Sequence, residues 1–375
     1  MKKYVLILGI LASFNAQANE GWKNCDDEGS SNCEYQIKDG VLTVRPQDDT
    51  QPANIPDFAR DCSMTRYSEC TTTAPWKWDE NTNTITTLKV ENGITSIGSD
   101  AFEDMPFTTA HLPDTLTSIG SFAFLESGKL GYINLPNKLE TIGDYAFTSN
   151  FSSQNNNIVI IPDSVNEVGK YVFSGGTERI VVGGNTNLDP DALIYYGQTS
   201  TKIQFNHFTM YCAESNTSCQ EAIEKALNFA KNAGNADVSA QASDFLTTYT
   251  KDDNGFYQIG DKLYATADLM TKGAACDNPQ NCRDILDAAS QGKPFEVGGK
   301  YYATLDLFAR GAACTDKQNC EDILASNGAP FKVGSKIYNS MEDFALGNNI
   351  KFRIYTIDEA NEVAGKTNSF KIRYR

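Results

Sequence analysis

The sequence predicts an α+β protein: a solenoid of short stacked repeats behind a disulfide-pinned amino-terminal cap, followed by a smaller region of repeated hairpins and helices. Three observations predict this architecture. One motif occurs four times between residues 94 and 173, a second occurs three times between 257 and 338, and ten cysteines fall into five close pairs. A fixed period of about 20 to 45 residues is typical of units that bury their apolar edges only against their neighbours.

The first motif places a glycine at the same point of each copy. The copies are Ile94–Phe102, Leu116–Phe124, Leu139–Phe147 and Val165–Phe173. Their glycines, Gly98, Gly120, Gly143 and Gly169, are separated by 22, 23 and 26 residues. Each copy closes with Ala-Phe or Val-Phe, in which a small residue allows close approach and a phenylalanine fills the space between coils.

A short strand precedes each copy of the motif. Strands are predicted at Thr87–Val90, Thr109–Leu112, Tyr132–Leu135, Ile158–Ile161 and Arg179–Val182, with a sixth at Lys202–Phe205. Alternation along a strand assigns the residues to two faces. The predicted inward residues are Leu88, Val90, Ala110, Leu112, Ile133, Leu135, Val159, Ile161, Ile180 and Val182.

The outward positions of these strands are the candidate binding surface. They include Lys89, His111, Tyr132, Asn134, Ile158, Ile160, Arg179 and Val181. This face changes from polar to apolar along the stack, and a contiguous apolar patch marks a candidate interaction site. The alternative is that a later segment of the chain covers the patch.

Residues 19–83 are predicted to form the amino-terminal cap. Tyr35–Val44 has the alternation and the Asp-Gly turn of a β-hairpin. Trp76 and Trp78 are suited to covering the exposed end of the first repeat. The stretch from Asp79 to Val90 begins like a calcium loop, but Thr84 and Val90 replace the required glycine and glutamate, so no metal site is predicted.

The repeated motif, Leu/Ile-Pro-x-x-Leu/Val-x-x-Ile-Gly-x-x-Ala-Phe, resembles the BspA-like leucine-rich repeat. The hairpin and Pro75-Trp76 before it also resemble the segment that commonly precedes such repeats. The resemblance covers about residues 33–184. It implies a bacterial surface or secreted protein that attaches to extracellular matrix, host cells or other microbes, and it supplies no catalytic residues.

The first 18 residues are predicted to be a secretory signal peptide. Lys2 and Lys3 precede the apolar run Tyr4–Leu11, and Ala16-Gln17-Ala18 provides a cleavage site, so the mature chain should begin near Asn19. Without the two lysines, 30 basic side chains remain against 48 acidic ones, a net charge of −18. Such a charge disfavours a nucleic-acid partner. The predicted location is secreted or cell-surface, with the periplasm as the alternative.

The ten cysteines form five local pairs, which are Cys25/Cys33, Cys62/Cys70, Cys212/Cys219, Cys276/Cys282 and Cys314/Cys320. In an exported chain, an even number grouped in this way predicts disulfides. Zinc is the rival interpretation. It is disfavoured because Cys-x-x-Cys spacing is absent and the chain contains only two histidines.

Four segments complete the predicted organisation. The solenoid occupies residues 84–210, a disulfide loop and helical linker 211–250, hairpin–helix repeats 251–350, and a basic strand–helix–strand tail 351–375. In the linker, Gln220–Ala233 has the apolar stripe of a helix. Glu214-x-Asn216-x-Ser218 fits an extended acidic sequon and makes Asn216 a glycosylation candidate.

The second motif predicts three hairpins, at Tyr257–Tyr264, Phe295–Tyr302 and Phe331–Tyr338. Each has a two-residue turn that begins with glycine, which predicts type II′ geometry. The first two copies continue into a short helix, a cysteine-pinned loop and a second helix. The tail after them is expected to pack against the acidic body of the protein or, alternatively, to contact phosphate-bearing envelope lipid.

Catalytic motifs are missing from the sequence. Gly-x-Ser-x-Gly and His-Glu-x-x-His do not occur, and His111 and His207 are far apart in the chain. We therefore expect no enzyme activity and no cofactor, although a carbohydrate-active enzyme using paired carboxylates is not excluded by composition.

The leading hypothesis is a secreted or surface-exposed interaction protein that binds a protein or glycan through the solenoid sheet. The alternative is a periplasmic or envelope structural protein without a host partner.

Overall fold

A computed structural model describes residues 21–26, 31–61, 71–127, 130–148, 158–173, 179–194, 208–234, 237 and 239–348. The chain divides into two compact units, Met1–Thr250 and Lys251–Arg375. The predicted signal peptide, the Cys62/Cys70 pair, the Lys202–Phe205 strand, His207 and the basic tail lie outside the described residues.

The first unit consists mainly of short strands. In chain order they are β1 (Lys23–Asn24), β2 (Cys33–Lys38), β3 (Val41–Pro46), β4 (Ala53–Ile55), β5 (Arg60–Asp61), β6 (Thr71–Thr72), β7 (Thr87–Val90), β8 (Ile94–Ile97), β9 (Thr109–His111), β10 (Ser118–Ile119), β11 (Tyr132–Ile133), β12 (Thr141–Ile142), β13 (Ile158–Ile161), β14 (Glu167–Val168), β15 (Arg179–Val182), β16 (Asn187–Leu188), β17 (Thr209–Ala213) and β18 (Leu246–Lys251).

The amino-terminal cap contains the predicted hairpin. β2 and β3 pair antiparallel around Asp39 and Gly40, whose φ angles of 51° and 78° are those of a type I′ turn. β3 then pairs in parallel with β7, so the cap and the first repeats share one sheet in the order β1-β2-β3-β7-β9-β11. The hairpin therefore gives the first repeat strand a backbone partner.

The predicted inward residues do form the core. Leu88, Ala110, Val159 and Ile180 are each fully buried. Leu135 differs, since it is only partly buried and lies beyond the end of β11. The strands at residues 109 and 132 are also shorter than predicted.

A second sheet, which the sequence analysis did not predict, contains the middle of every repeat. Its order is β16-β14-β12-β10-β8-β4, and all neighbouring strands are parallel. The Ile-Gly end of each motif copy therefore pairs with the same part of the next copy. Successive repeats are thus joined by backbone hydrogen bonds on two faces.

The motif phenylalanines form a column through the core. The ring centroids of Phe102, Phe124 and Phe147 are 5.3 Å apart at each step. Trp76 extends the column, 5.3 Å from Phe102, and its Nε1 donates to the carbonyl oxygen of Ala101 at 2.7 Å. Trp76 therefore covers the first repeat as predicted. Trp78 does not, because it lies two residues further on and is 65% exposed.

The first unit also contains a helix that packs against the last repeat. α1 (Ser218–Asn232) buries Ala222, Ile223, Ala226, Leu227 and Ala230, the stripe that the sequence predicted. The hydroxyl of Ser218 accepts a hydrogen bond from the Leu188 amide of β16 at 3.0 Å. The helix thereby provides a partner for an amide at the outer edge of the second sheet.

The second unit contains the three predicted hairpins, β19 (Tyr257–Ile259) with β20 (Lys262–Tyr264), β21 (Phe295–Val297) with β22 (Lys300–Tyr302), and β23 (Phe331–Val333) with β24 (Lys336–Tyr338). In the first and third turns only the leading glycine has a positive φ, as a type II′ turn requires. In the second turn Gly298 and Gly299 both have positive φ, so that turn is type I′ and the prediction for it was wrong.

Helices connect these hairpins. They are α2 (Ala267–Thr271), α3 (Pro279–Ser290), α4 (Leu305–Ala309), α5 (Lys317–Ala325) and α6 (Met341–Ala345). α3 and α5 each contact the hairpin that follows them. Asn281 and Asn319, at equivalent positions in these helices, donate to the carbonyl oxygens of Glu296 and Lys332. No helix among the described residues is both long and apolar enough to cross a bilayer.

Four of the five predicted cysteine pairs are disulfides in the described part of the chain: Cys25–Cys33, Cys212–Cys219, Cys276–Cys282 and Cys314–Cys320. This confirms the disulfide interpretation for these eight residues.

Candidate binding surfaces

The predicted binding residues on the first sheet are exposed at its polar end. Lys89 and His111 lie on neighbouring strands as register partners, and both are exposed. The Lys89 ammonium is 2.9 Å from the Glu91 carboxylate. An exposed ion pair of this kind contributes little to stability, so Lys89 can leave Glu91 and contact a partner at small cost. The side chain of Tyr132 lies outside the described part of the structure.

Asn134 has a structural role that the sequence did not indicate. Its Oδ1 accepts from the amide of Leu112 at 2.9 Å, and its Nδ2 donates to the carbonyl oxygen of Leu112 at 2.8 Å. Because β9 and β11 are short, this side chain replaces the missing backbone partner. Its amide is therefore unavailable to a ligand without loss of two internal hydrogen bonds.

The apolar part of the predicted surface lies on a sheet formed by β13, β15, β17 and β18 in parallel. Ile158 pairs with Arg179 and Ile160 with Val181, and all but Val181 are half-buried. Val181 is only 1% exposed, which contradicts its prediction as a contact residue.

The burial of Val181 has two causes. It lies between Ile160 and Tyr211 in the register, so larger side chains flank it on both sides. In addition, Tyr249 of β18 is buried, and its hydroxyl donates to the carbonyl oxygen of Val182 at 2.8 Å. β17 and β18 thus continue the sheet at this end. The alternative that a later segment covers the face of the patch stays a prediction.

A groove of about 680 Å³ runs over the second sheet, and the sequence analysis missed it. One row of polar side chains consists of the register partners Asn54, Ser96, Ser118, Thr141 and Glu167. A second row consists of Asp57, which follows Pro56, and of Ser99, Ser121 and Asp144, which follow the motif glycines. We call the space between these two rows the repeat groove. A sequence signal exists, since a short polar residue stands two positions before Gly98, Gly120 and Gly143.

The glycines between the two rows allow the repeats to approach one another. A Cβ atom at Gly98 would lie 2.2 Å from the carbonyl oxygen of Pro56, and one at Gly120 would lie 2.6 Å from the amide nitrogen of Ser99. The floor of the repeat groove at these positions is therefore bare backbone.

The first acidic residue of the calcium-like segment forms an ion pair with a lysine. The Asp79 carboxylate is 2.6 Å from the Lys23 ammonium and accepts from the amide of Asn81 at 3.0 Å. Burial by itself raises the pKa of the Asp79 carboxyl, but these hydrogen bonds outweigh it and hold the pKa below its ordinary value. Within the described residues, no group of three or more His, Cys, Asp or Glu side chains could hold a metal ion.

Asn216 also serves the fold. Its Nδ2 donates to the carbonyl oxygens of Gly183 and Thr186, both at 2.9 Å, and its Oδ1 accepts from Ser218. A glycan on this nitrogen would remove one of the two N–H donors. The structure therefore favours an internal role for Asn216, and its glycosylation stays a prediction.

Residues 80–186 match, in six copies, the family model of the BspA type leucine rich repeat region. This part of the chain is a BspA-type leucine-rich repeat region, as the motif predicted.

Three solved structures are similar to the chain. They are a leucine-rich repeat protein from Eubacterium ventriosum (20% identity, 62% of this chain and 47% of that chain, TM-score 0.36), the pneumococcal vaccine antigen PcpA (22%, 53% and 46%, 0.32) and the leucine-rich repeat protein TpLRR from T. pallidum (14%, 56% and 96%, 0.26). The chain thus spans about half the length of the first two. No curated protein matches it.

Proposed function

We propose that this chain is an exported interaction protein that binds an extracellular protein or glycan through the outward side chains of its stacked repeats, and that the stack is a solenoid. The observation that carries the proposal is the contrast between the two sets of strand positions. Inward positions are apolar in every copy and buried in all but one, Leu135, whereas outward positions change from copy to copy. The outward side chains are therefore those that can specify a partner.

Export is supported by the cysteines. Disulfides persist in oxidising compartments, and four pairs are bonded in the described residues. Together with the predicted signal peptide at residues 1–18, the disulfides support export, and we propose that the protein acts on the cell surface or outside the cell. The proposed function involves no catalytic residue, no cofactor, no nucleic-acid partner and no membrane span.

The test is capture of the purified mature chain, residues 19–375, by immobilised extracellular matrix proteins. We expect the double variant Tyr132→Ala with Ile160→Asp to weaken capture. It removes an aromatic side chain and places a charge on the apolar part of the candidate binding surface, which the outward strand positions form. Lys138→Ala with Asn187→Asp is the matched control, since both positions are exposed and lie outside that surface. Equal capture of the double variant and the wild-type chain would move the binding site elsewhere.

The alternative role, an envelope structural protein, predicts a different location. Protease added to intact cells should degrade a surface-exposed interaction protein and should leave a periplasmic one intact. Protection on intact cells, with degradation after the outer layers are opened, would favour the structural role.

A further inference from the structure

The repeat groove has the dimensions of a site for an extended ligand. It crosses β4, β8, β10, β12 and β14. With neighbouring strands about 4.8 Å apart, its length is about 19 Å. Along this length the first row has one side chain from each of the five strands, and the second row has one beside each of the first four, so the groove offers a pair of polar groups at four successive steps. At the fifth step the residue after the motif glycine is Lys170. Such a surface is suited to a ligand that itself repeats.

The hydroxyls in the groove are not used by the fold. Within the described residues, those of Ser96, Ser118 and Thr141 in one row and of Ser99 and Ser121 in the other make no hydrogen bond to protein. Hydroxyls elsewhere in the repeats differ: Thr115, Thr117, Ser127 and Ser164 each donate to a backbone carbonyl oxygen of the preceding repeat. The groove hydroxyls can therefore exchange water for a ligand without breaking an internal bond.

The charges in the groove exclude one class of ligand. Asp57, Asp144 and Glu167 line it, and none of the described lining residues is basic. One oxygen of Asp57 accepts from the Ser99 amide and one of Asp144 from the Lys170 amide, so both carboxylates are held in place. Phosphate-bearing, sulfated and carboxylated polymers would be repelled by these groups.

A peptide strand is disfavoured by the sheet itself. Peptides that bind by strand addition need an unpaired sheet edge. Here β8, β10, β12 and β14 each have a strand on both sides, and the groove lies over the face of the sheet. The lining also offers little apolar side-chain surface to anchor a protein partner, because the isoleucines at Ile97, Ile119 and Ile142 are buried.

We propose that the repeat groove is a binding site for an extended glycan chain without acidic groups. The inference rests on the proposed function and gives it a ligand class and a location. Hydroxyls of a neutral sugar chain would hydrogen-bond the two polar rows, and the carboxylates would accept further hydroxyl or amine donors.

The experiment is affinity electrophoresis of the mature chain in gels containing mannan, dextran, glycol chitosan or the acidic polysaccharide hyaluronan. We expect retardation by at least one of the first three. The groove variant is Ser118→Tyr with Thr141→Tyr, which fills the groove on two neighbouring strands. Its control is Asn137→Tyr with Asn185→Tyr, two exposed turn residues that lie outside both candidate surfaces. Circular dichroism establishes that both variants are folded.

The groove variant should weaken retardation at least about tenfold in apparent dissociation constant, and the control should match the wild type. Ser118→Ala with Thr141→Ala, which removes the hydroxyls without adding bulk, should weaken it by a smaller factor. Absence of retardation by all three polysaccharides, or retardation that persists in the groove variant, would overturn the proposal. So would hyaluronan binding that the groove variant abolishes. If matrix proteins still capture the chain while no polysaccharide does, only this inference fails; loss of both would end the proposed function as well.

Discussion

At the scale of single residues, the backbone of the neighbouring repeat leaves no room for a side chain at the motif glycines. Gly120 illustrates this, since its added Cβ would lie 2.6 Å from the Ser99 amide nitrogen and 2.7 Å from the carbonyl carbon of Gly98. Both atoms belong to a backbone that is fixed by two sheets, so neither can move aside cheaply. The recurrence of glycine in the motif thus has a packing cause.

Gly120→Ala should lower the free energy of unfolding by about 1–3 kcal/mol or more, the cost of overpacking. Gly184→Ala is the control, because the nearest atom to its added Cβ is 3.6 Å away. Urea unfolding followed by tryptophan fluorescence measures both, since Trp22, Trp76 and Trp78 all belong to the first unit. Equal unfolding midpoints for the two variants would contradict the packing argument.

The residue two positions after the motif glycine is also unusual. Phe122, Tyr145 and Tyr171, two positions after their motif glycines, have φ angles of 60°, 59° and 61°. Left-handed backbone is strained in large residues. Their rings stack along the repeats, with centroids 4.8 Å and 4.7 Å apart. We infer that this stacking offsets part of the backbone strain.

Tyr145→Gly should therefore unfold at a higher urea concentration than Tyr145→Ala. Both variants lose the stacked ring, but only glycine relieves the strain, which is worth about 1 kcal/mol. At Thr141, an exposed strand residue, the order should reverse, because glycine weakens a strand relative to alanine. A Tyr145→Ala variant as stable as Tyr145→Gly would show that position 145 carries no strain.

At the scale of elements, local pattern predicted the strands and hairpins but not every pairing. The hairpins of the second unit were identified because their alternation and glycine turns are contained in eight residues. The second sheet was missed because its strands are mostly two residues long and have no alternation to detect. They exist because equivalent positions of successive repeats lie side by side.

The disulfides of the second unit should stabilise that unit alone. Cys276 and Cys282 are buried in the same apolar cluster as Leu269 and Ile285. Cys276→Ser with Cys282→Ser should cost about 2 kcal/mol, as expected for a short closed loop. The midpoint seen by far-ultraviolet circular dichroism should fall, while the tryptophan signal of the first unit should stay unchanged. Cys314→Ser with Cys320→Ser provides the matched comparison in the next repeat, and a variant with no shift would show that the bridge adds nothing.

At the scale of the whole molecule, composition and cysteine pairing both favour an exported protein. The full chain has a formal net charge of −16, and its ten cysteines leave none unpaired in the predicted scheme. Among the described residues no cysteine is free. Because disulfides persist in oxidising compartments, this pairing favours an exported protein.

The protein recovered from its native cells should accordingly begin near Asn19 and contain no free thiol. Amino-terminal sequencing and maleimide labelling under denaturing conditions test the two expectations. Labelling at Cys62 and Cys70 alone would refute the predicted fifth disulfide. A chain that keeps residues 1–18 would instead refute export through a cleaved signal peptide.

The sequence by itself determined the repeat period, the inward faces, the hairpins and four observed disulfides, because each depends on residues close together in the chain. Only the tertiary structure decided which outward residues are available to a binding partner. Asn134 bonds to Leu112 across 22 residues, and Val181 is buried between Ile160 of β13 and Tyr211 of β17. The repeat groove arises in the same way, since its rows form only when residues from five strands are brought side by side.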